Sequence, residues 1–404
     1  MGRAKEDLMR QEDQGYRDLD GLVCEQCILD AELRQFHASI AIDGDCDFCG
    51  ASNVRVSNAV EIQQRIMECL LLDYVDIAQA DAPYESREGG YQVSSEPASE
   101  IIQDNCWKDV SDQYLDALSQ ASGLTNWCDR DWSILKPMER LRYGWERFCH
   151  TVRHRLRYSF AWEDGDEDVG HPDYIDPREM LETLGEFVDS HELITTIPAG
   201  EMILRVRIHA TDTYNAPSEL GAPPHEYAKA NRMSPAGITM LYGASNAETA
   251  LAETWDGTVE AKASIGTFRL KRAVRIIDFD QVPVIPSYWS LEERSNYHAL
   301  GFLHDFAREL SAPVERNSLV DLPYAPTQIV SEFLTKGRYP PAEFDDPDGF
   351  NYPVHGLAFS SSRAGGRNVA LNLVHDEDES LGFKQSEYLE LANVVHRTLV
   401  PAST

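Results

Sequence analysis

Met202-Ile-Leu-Arg-Val-Arg-Ile-His209 alternates apolar and polar side chains over most of its length. In an extended chain successive side chains point to opposite faces, so Leu204, Val206 and Ile208 line one face and Arg205, Arg207 and His209 the other. Short runs of the same β-like character follow at 239–244, 264–270, 273–278, 355–360 and 368–374. Patterns with apolar residues every three or four positions lie between them at 246–256, 291–311 and 325–335. This mixture predicts an α+β domain over 198–404. Two arginines on one strand face suit an anionic ligand, because guanidinium groups offer planar, bidentate donors to phosphate. The alternative is an exposed strand face with incidental charges.

Upstream of residue 198 the period is helical. Asn58 and Glu61 read as a capping box for a helix over 57–80, further helices are predicted at 100–121 and 137–160, and Pro137 reads as the N1 residue, the first helical position, of the last. In the last of these, Met138, Leu141, Trp145, Phe148, Val152, Leu156 and Phe160 form one apolar stripe. These patterns predict an all-α domain over 56–162. Asp176-Pro177-Arg178-Glu179 supplies an N-cap, an N1 proline and a capping glutamate for a connecting helix to about His191. Before it, Glu163-Asp-Gly-Asp-Glu-Asp168 is too acidic to pack and reads as part of a linker over 163–197.

The first 55 residues hold Cys24-Glu-Gln-Cys27, eighteen further residues, then Cys46-Asp-Phe-Cys49-Gly50. Two CxxC knuckles at this separation predict a small zinc-ribbon-like segment, with Cys24, Cys27, Cys46 and Cys49 as tetrahedral thiolate ligands and Gly50 free to take positive φ after the second knuckle. Four protein ligands leave no open position, so such a metal stabilises and does not catalyse. Four buried free cysteines are the plainer alternative. All eight cysteines precede residue 150, so the second half works without thiols.

The formal charge of -32 over 404 residues disfavours nucleic acid as a general partner. It is uneven: residues 1–200 carry 41 acidic and 18 basic side chains, and 201–404 carry 27 and 18. No run approaches the ~18 apolar residues of a membrane span, the N-terminal stretch lacks an apolar signal core, and Glu6 stands where a myristoylation site wants Ser or Thr. Cytoplasmic location is the resulting expectation. The absence of GxGxxG after a strand and of a Walker A sequence argues against Rossmann hydride transfer and P-loop hydrolysis.

Three more segments carry polar residues in order. Asn231-Arg232-Met233-Ser234 is a polar turn, Leu241-Tyr242-Gly243-Ala244 a strand, and Ser245 with Glu248 reads as the cap of a short helix ending in Glu253. Gly356-Leu-Ala-Phe-Ser-Ser-Ser-Arg363 and Asn368-Val-Ala-Leu371 form a hairpin-like pair. With the first strand, these segments resemble the RES domain, a family named for an arginine, a glutamate and a serine. The resemblance implies an ADP-ribosyltransferase-like fold, NAD as substrate, and toxins of bacterial toxin–antitoxin pairs as relatives. It assigns the site to Arg205 or Arg207, Arg232, Tyr242, Glu253 and Ser361; Phe359 stands where many members have tyrosine, and Tyr324-Ala-Pro-Thr-Gln328 also looks like a family segment. The first half resembles the HEPN-class helical region found fused to RES domains. Many HEPN proteins are ribonucleases with an arginine, four to six spacers and a histidine; Arg147 and His154 fit that spacing and would share a helix face, against the alternative of a solvated basic face.

NAD offers a pyrophosphate and a nicotinamide whose glycosidic bond is already activated, so its cleavage calls for anion clamps at one end and a carboxylate near C1′. Arg205 or Arg207 with Arg232 are the expected clamps. Glu253 stabilises the developing positive charge, Tyr242 meets the nicotinamide end and Ser361 positions its ribose. The expected activity is phosphorolysis or hydrolysis of the nicotinamide–ribose bond by a toxin or defence effector, restrained by an antitoxin, regulatory protein or homo-oligomer. ADP-ribosyl transfer, an RNA-directed helical module and a nucleotide sensor are the alternatives.

Overall fold

The computed structural model describes residues 14–160, 170–210, 213–255, 257–313, 321–339, 353–376 and 382–401. The Glu6 and Glu163–Asp168 readings lie outside these residues. The chain divides into two compact units, Met1–Pro137 with Ile285–His298, and Met138–Val284 with Ala299–Thr404.

In the first unit, strands Leu22–Cys24 and Ile42–Gly44 flank Val54–Asn58 in an antiparallel sheet beside the helix Ala31–Ile40. Asp30 starts that helix by accepting a hydrogen bond from the Leu33 amide. Helices Ala59–Asp73, Ala98–Cys106 and Asp112–Ala121 follow, sharing a core of Ile62, Ile66, Leu70, Ile101, Ile102, Tyr114 and Leu118 with Trp127 and Trp289. Burying each such side chain contributes about 1.5–3 kcal/mol. The all-α expectation is corrected here: Asn126–Asp129 pairs with Tyr74–Asp76 and Glu96–Pro97 in a second three-stranded sheet. Strands of two to four residues are too short to show a period. The first long helix ends at Asp73, not 80, because Tyr74 enters that sheet, and Asn58 makes no side-chain cap. The span 100–121 is two helices parted by residues 107–111.

The second unit opens with α1, Pro137–His150, then a π-helical turn over Thr151–Arg155. Trp145, Phe148 and Val152 of the predicted stripe are buried among Phe302, Phe306 and Leu184, with Trp145 edge-on to Phe306 at a ring separation of 5.1 Å. Packing therefore places α1 with the second unit, whereas the sequence grouped it with the helical domain. In α2, Pro177–Ser190, Asp176 accepts from the Arg178 amide with Pro177 at N1, as the sequence predicts.

The centre of this unit is an eight-stranded sheet. Its strands are β1 (Ile194–Ile197), β2 (Met202–His209), β3 (Leu241–Ala244), β4 (Ala261–Leu270), β5 (Val274–Asp278), β6 (Gly356–Ser360), β7 (Arg367–Leu371) and β8 (Leu389–Leu399), in the order β8-β4-β2-β3-β7-β6-β5-β1. Only β5 and β6 run parallel. Helices α3 (Ala247–Thr254), α4 (Arg294–Ser311) and α5 (Asp321–Glu332) complete the α+β architecture. The alternation read in β2 holds: Leu204, Val206 and Ile208 pack with Ala247, Ala250 and Leu251 of α3, and Ile203 packs with the opposite core. β2 pairs with β4 at eight positions but with β3 only at Leu204↔Ala244, so the two central strands part beyond residue 204. No helix among the described residues is long and apolar enough to cross a membrane.

Candidate functional site

The hairpin of β6 and β7 and the end of α3 meet at Glu253. The Ser361 hydroxyl donates to Glu253 Oε1 at 2.6 Å, and Asn368 Nδ2 donates to the same oxygen at 2.9 Å. The turn is closed by the Ser361 amide on the Gly366 carbonyl at 2.7 Å. Gly366 permits this approach, since a Cβ there would lie 2.1 Å from Thr249 Oγ1 of α3. The expected Ser245/Glu248 cap does not form. Asn246 accepts from the Thr249 amide, while Ser245, still bonded to β7, accepts from the Arg367 amide at 3.2 Å.

Arg232 sits in the Asn231–Ser234 turn, and the Tyr324–Gln328 segment holds that turn in place. Thr327 Oγ1 donates to the Arg232 carbonyl at 2.6 Å, and Gln328 Nε2 donates to the Asn231 and Ser234 carbonyls at 2.8 and 3.2 Å. The Arg232 guanidinium bonds the Glu309 and Ala312 carbonyls at the end of α4 and lies 5.6 Å from the Tyr324 ring. Burial lowers its pKa, and the nearby Tyr324, Glu253 and Tyr242 oppose the shift. Tyr242 reaches the same turn: its hydroxyl is 2.9 Å from Ser234 Oγ and accepts from the Met233 amide at 3.2 Å. Burial pushes this phenol well above its usual range. Its polar tip is thus spent on ordering the Arg232 turn.

The two strand arginines differ. Arg207 points to another group, donating to the Gly221 carbonyl at 3.4 Å beside the Tyr214 ring and the charge of Glu219. Arg205 has Nη1 sealed from solvent and without a hydrogen-bond partner, and the Nε of Arg207 is likewise sealed and unpartnered. Burial, with the like charge of Arg207, pushes its pKa down to about 9, and Tyr242 opposes this. A buried cation short of partners favours an anion that can complete it. Arg205, Arg232, Tyr242, Glu253 and Ser361 are therefore linked by bonds or fields, and Arg207 lies at their margin. Asn368 was quoted in the sequence pattern without a role; its signal was an amide in a strand otherwise reading Val-Ala-Leu.

In the first unit the four paired cysteines converge, all four Sγ atoms lying within 4.8 Å of one another. Sγ separations are 3.9 Å for Cys24 and Cys27, 3.5 Å for Cys24 and Cys49, and 3.8 Å for Cys27 and Cys46. Tetrahedral thiolates at about 2.3 Å from zinc stand about 3.8 Å apart, so the donor set fits that ion. The Gly50 amide bonds the Cys46 carbonyl at 3.0 Å, and Gly50 has φ +73°, as its place after the knuckle requires.

Arg147 and His154 turn to different neighbours. Arg147 stacks over Tyr174 at 4.4 Å, and His154 lies beside His150. The π-helical turn at Thr151–Arg155 has a wider turn than an α-helix, so residues seven apart no longer share a face. The groove there is lined by Tyr143, Glu146, Arg147, His150, Thr151 and Arg155, without His154.

Comparison with known proteins matches two family models to this chain: HEPN/RES N-terminal domain 1 to residues 40–166 and the RES domain to residues 204–392. Among solved structures, a chain of the crystal structure of the M. tuberculosis MbcT–MbcA toxin–antitoxin complex is 14% identical, covering 55% of this chain and 93% of that one with a TM-score of 0.27. The search of curated proteins finds no match. The chain thus carries a HEPN/RES N-terminal domain 1 over 40–166 followed by a RES domain over 204–392.

Proposed function

We propose that the protein cleaves the nicotinamide–ribose bond of NAD, on an ADP-ribosyltransferase-like fold. The observation that carries this reading is the pairing of a clamped carboxylate, Glu253 held by Ser361 and Asn368, with the nearby cation Arg232, and Arg205 lies next along through Tyr242. Arg205 and Arg232 take the pyrophosphate. The C1′–N bond breaks with its electron pair moving to the nicotinamide ring, which leaves neutral, and Glu253 stabilises the oxocarbenium-like ribose. Phosphate or water then supplies the acceptor oxygen. Tyr242 acts by holding the Arg232 turn and offering its ring to the site.

The four cysteines hold a structural zinc, closed to substrate. NAD consumption without restraint harms the host cell, so a toxin or defence role with an antitoxin partner accompanies this reading. An RNA-cleaving role for Arg147 and His154 lacks its geometry. The test is to incubate purified protein with NAD, with and without phosphate, and follow nicotinamide and the sugar product by NMR. Glu253→Gln should lower turnover by about 10²- to 10³-fold with folding intact. Full activity in that variant overturns the assignment, and no release by the wild type, with RNA or protein partners added, favours a nucleotide sensor.

A further inference from the structure

The direction of the hydrogen bonds around Ser361 is fixed by its surroundings. A serine hydroxyl has one proton to give and two lone pairs. The Ala364 and Arg363 amides approach Ser361 Oγ as donors at 3.2 and 3.3 Å, which directs the hydroxyl proton to Glu253 Oε1 at 2.6 Å. Ser361 is therefore occupied on both its donor and acceptor sides before any ligand arrives. The second donor to the same oxygen is Asn368 Nδ2, at 2.9 Å from a side chain that is only 7% exposed. An amide buried beside Val369, Ala370 and Leu371 is costly unless it is bonded, and here the bond goes to the carboxylate of the site.

We propose that Asn368 is a positioning residue which, with Ser361, clamps Glu253 Oε1 and so fixes the plane of the carboxylate; Ser361 acts through Glu253 and does not bind the ribose. Two donors from different strand positions, one at the hairpin tip and one within β7, restrain rotation about the last bond of the glutamate side chain, which a single donor cannot. The catalytic consequence rests on the NAD-cleaving reading; the clamp itself does not.

Asn368→Ala removes the donor, and Asn368→Asp removes it while keeping the volume. Both should lower kcat for nicotinamide release by on the order of 10- to 10²-fold, the scale of a misplaced reacting group, with KM for NAD within about twofold. Ser361→Ala combined with Asn368→Ala should lose less than the product of the two single losses. A rise in KM with kcat intact overturns the proposal, and so does a double variant whose loss equals the product of the two single losses. Should the wild type release no nicotinamide, the clamp is read by NMR: the side-chain amide resonance of Asn368, assigned by its loss in Asn368→Asp, should shift in Glu253→Gln. No shift sinks the clamp independently of the activity.

Discussion

The cysteine cluster of the first unit and the Glu253 site of the second each gather polar side chains into a small volume, yet they differ in what remains for a ligand. Cys24, Cys27, Cys46 and Cys49 turn four sulfurs on one point, and tetrahedral zinc uses all of them. Around Glu253 the carboxylate is clamped, while Arg205 is buried with a guanidinium nitrogen that finds no hydrogen-bond partner. On the zinc reading proposed above, the closed cluster is completed by an ion that contributes stability. The Glu253 group keeps a guanidinium nitrogen unpartnered away from solvent, which costs stability and suits an anion. The difference gives each cluster a signature of its own under perturbation.

Metal removal is the largest expected effect. Structural zinc sites of this kind contribute on the order of 10 kcal/mol or more of apparent folding free energy. Treating the protein with a strong chelator, or substituting Cys46→Ser, should abolish hydrogen-exchange protection in Leu22–Cys24 and Val54–Asn58, and metal analysis of the untreated protein should return one zinc per chain. Protection in β4 and β7 serves as the internal reference. Unchanged protection after chelation would make the cluster four free thiols and remove one side of the comparison.

Trp289 comes next. It is fully buried in the first unit although it lies far along the chain, and its Nε1 donates to Asp109 Oδ2 at 2.9 Å. Burial raises the Asp109 pKa, and this bond opposes the rise. Trp289→Ala should therefore destabilise the unit by about 3–5 kcal/mol, since it empties a large site and leaves a buried carboxylate short of a donor. Urea unfolding followed through first-unit peptides measures it. A loss below about 1 kcal/mol would mean that the metal alone holds the unit together.

The two sites were also unequally legible before any coordinates. The cysteine ligands declare themselves because their chemistry is local: each pair is three residues apart, and Gly50 marks the turn. Strand β2 was read to its ends because strict alternation is a local signal too. Ser361 and Asn368 lie 108 and 115 residues from Glu253, and no spacing rule connects them. Resemblance supplied the serine, but the asparagine emerged only from the register of β7 against β3 and β6. Edge strand β8 was missed because Leu389-Glu-Leu-Ala-Asn-Val-Val-His-Arg-Thr-Leu399 is partly exposed on both faces and shows no clean period. Helix caps failed where the backbone of the capping residue was already committed, as at Ser245.

The smallest effect separates Arg205 from Arg207, and it is the sharpest because stability and function should move in opposite directions. Replacing a buried charge that lacks partners by an apolar side chain of similar length commonly stabilises by about 1–4 kcal/mol. Arg205→Met should therefore raise the urea midpoint of the second unit while raising KM for NAD by about tenfold or more, the loss of one charge-assisted phosphate contact. Arg207 leaves its Nε unpartnered too, but its Nη2 donates to the Gly221 carbonyl and it lies beside Tyr214 and Glu219, so Arg207→Met should lower stability slightly and change KM less than about threefold. Measuring both variants for both quantities gives a crossed pattern if Arg205 is the unmet charge of an open site. If Arg205→Met destabilises the unit and leaves KM unchanged, the arginine is a structural cation, and the contrast with the closed cysteine cluster collapses.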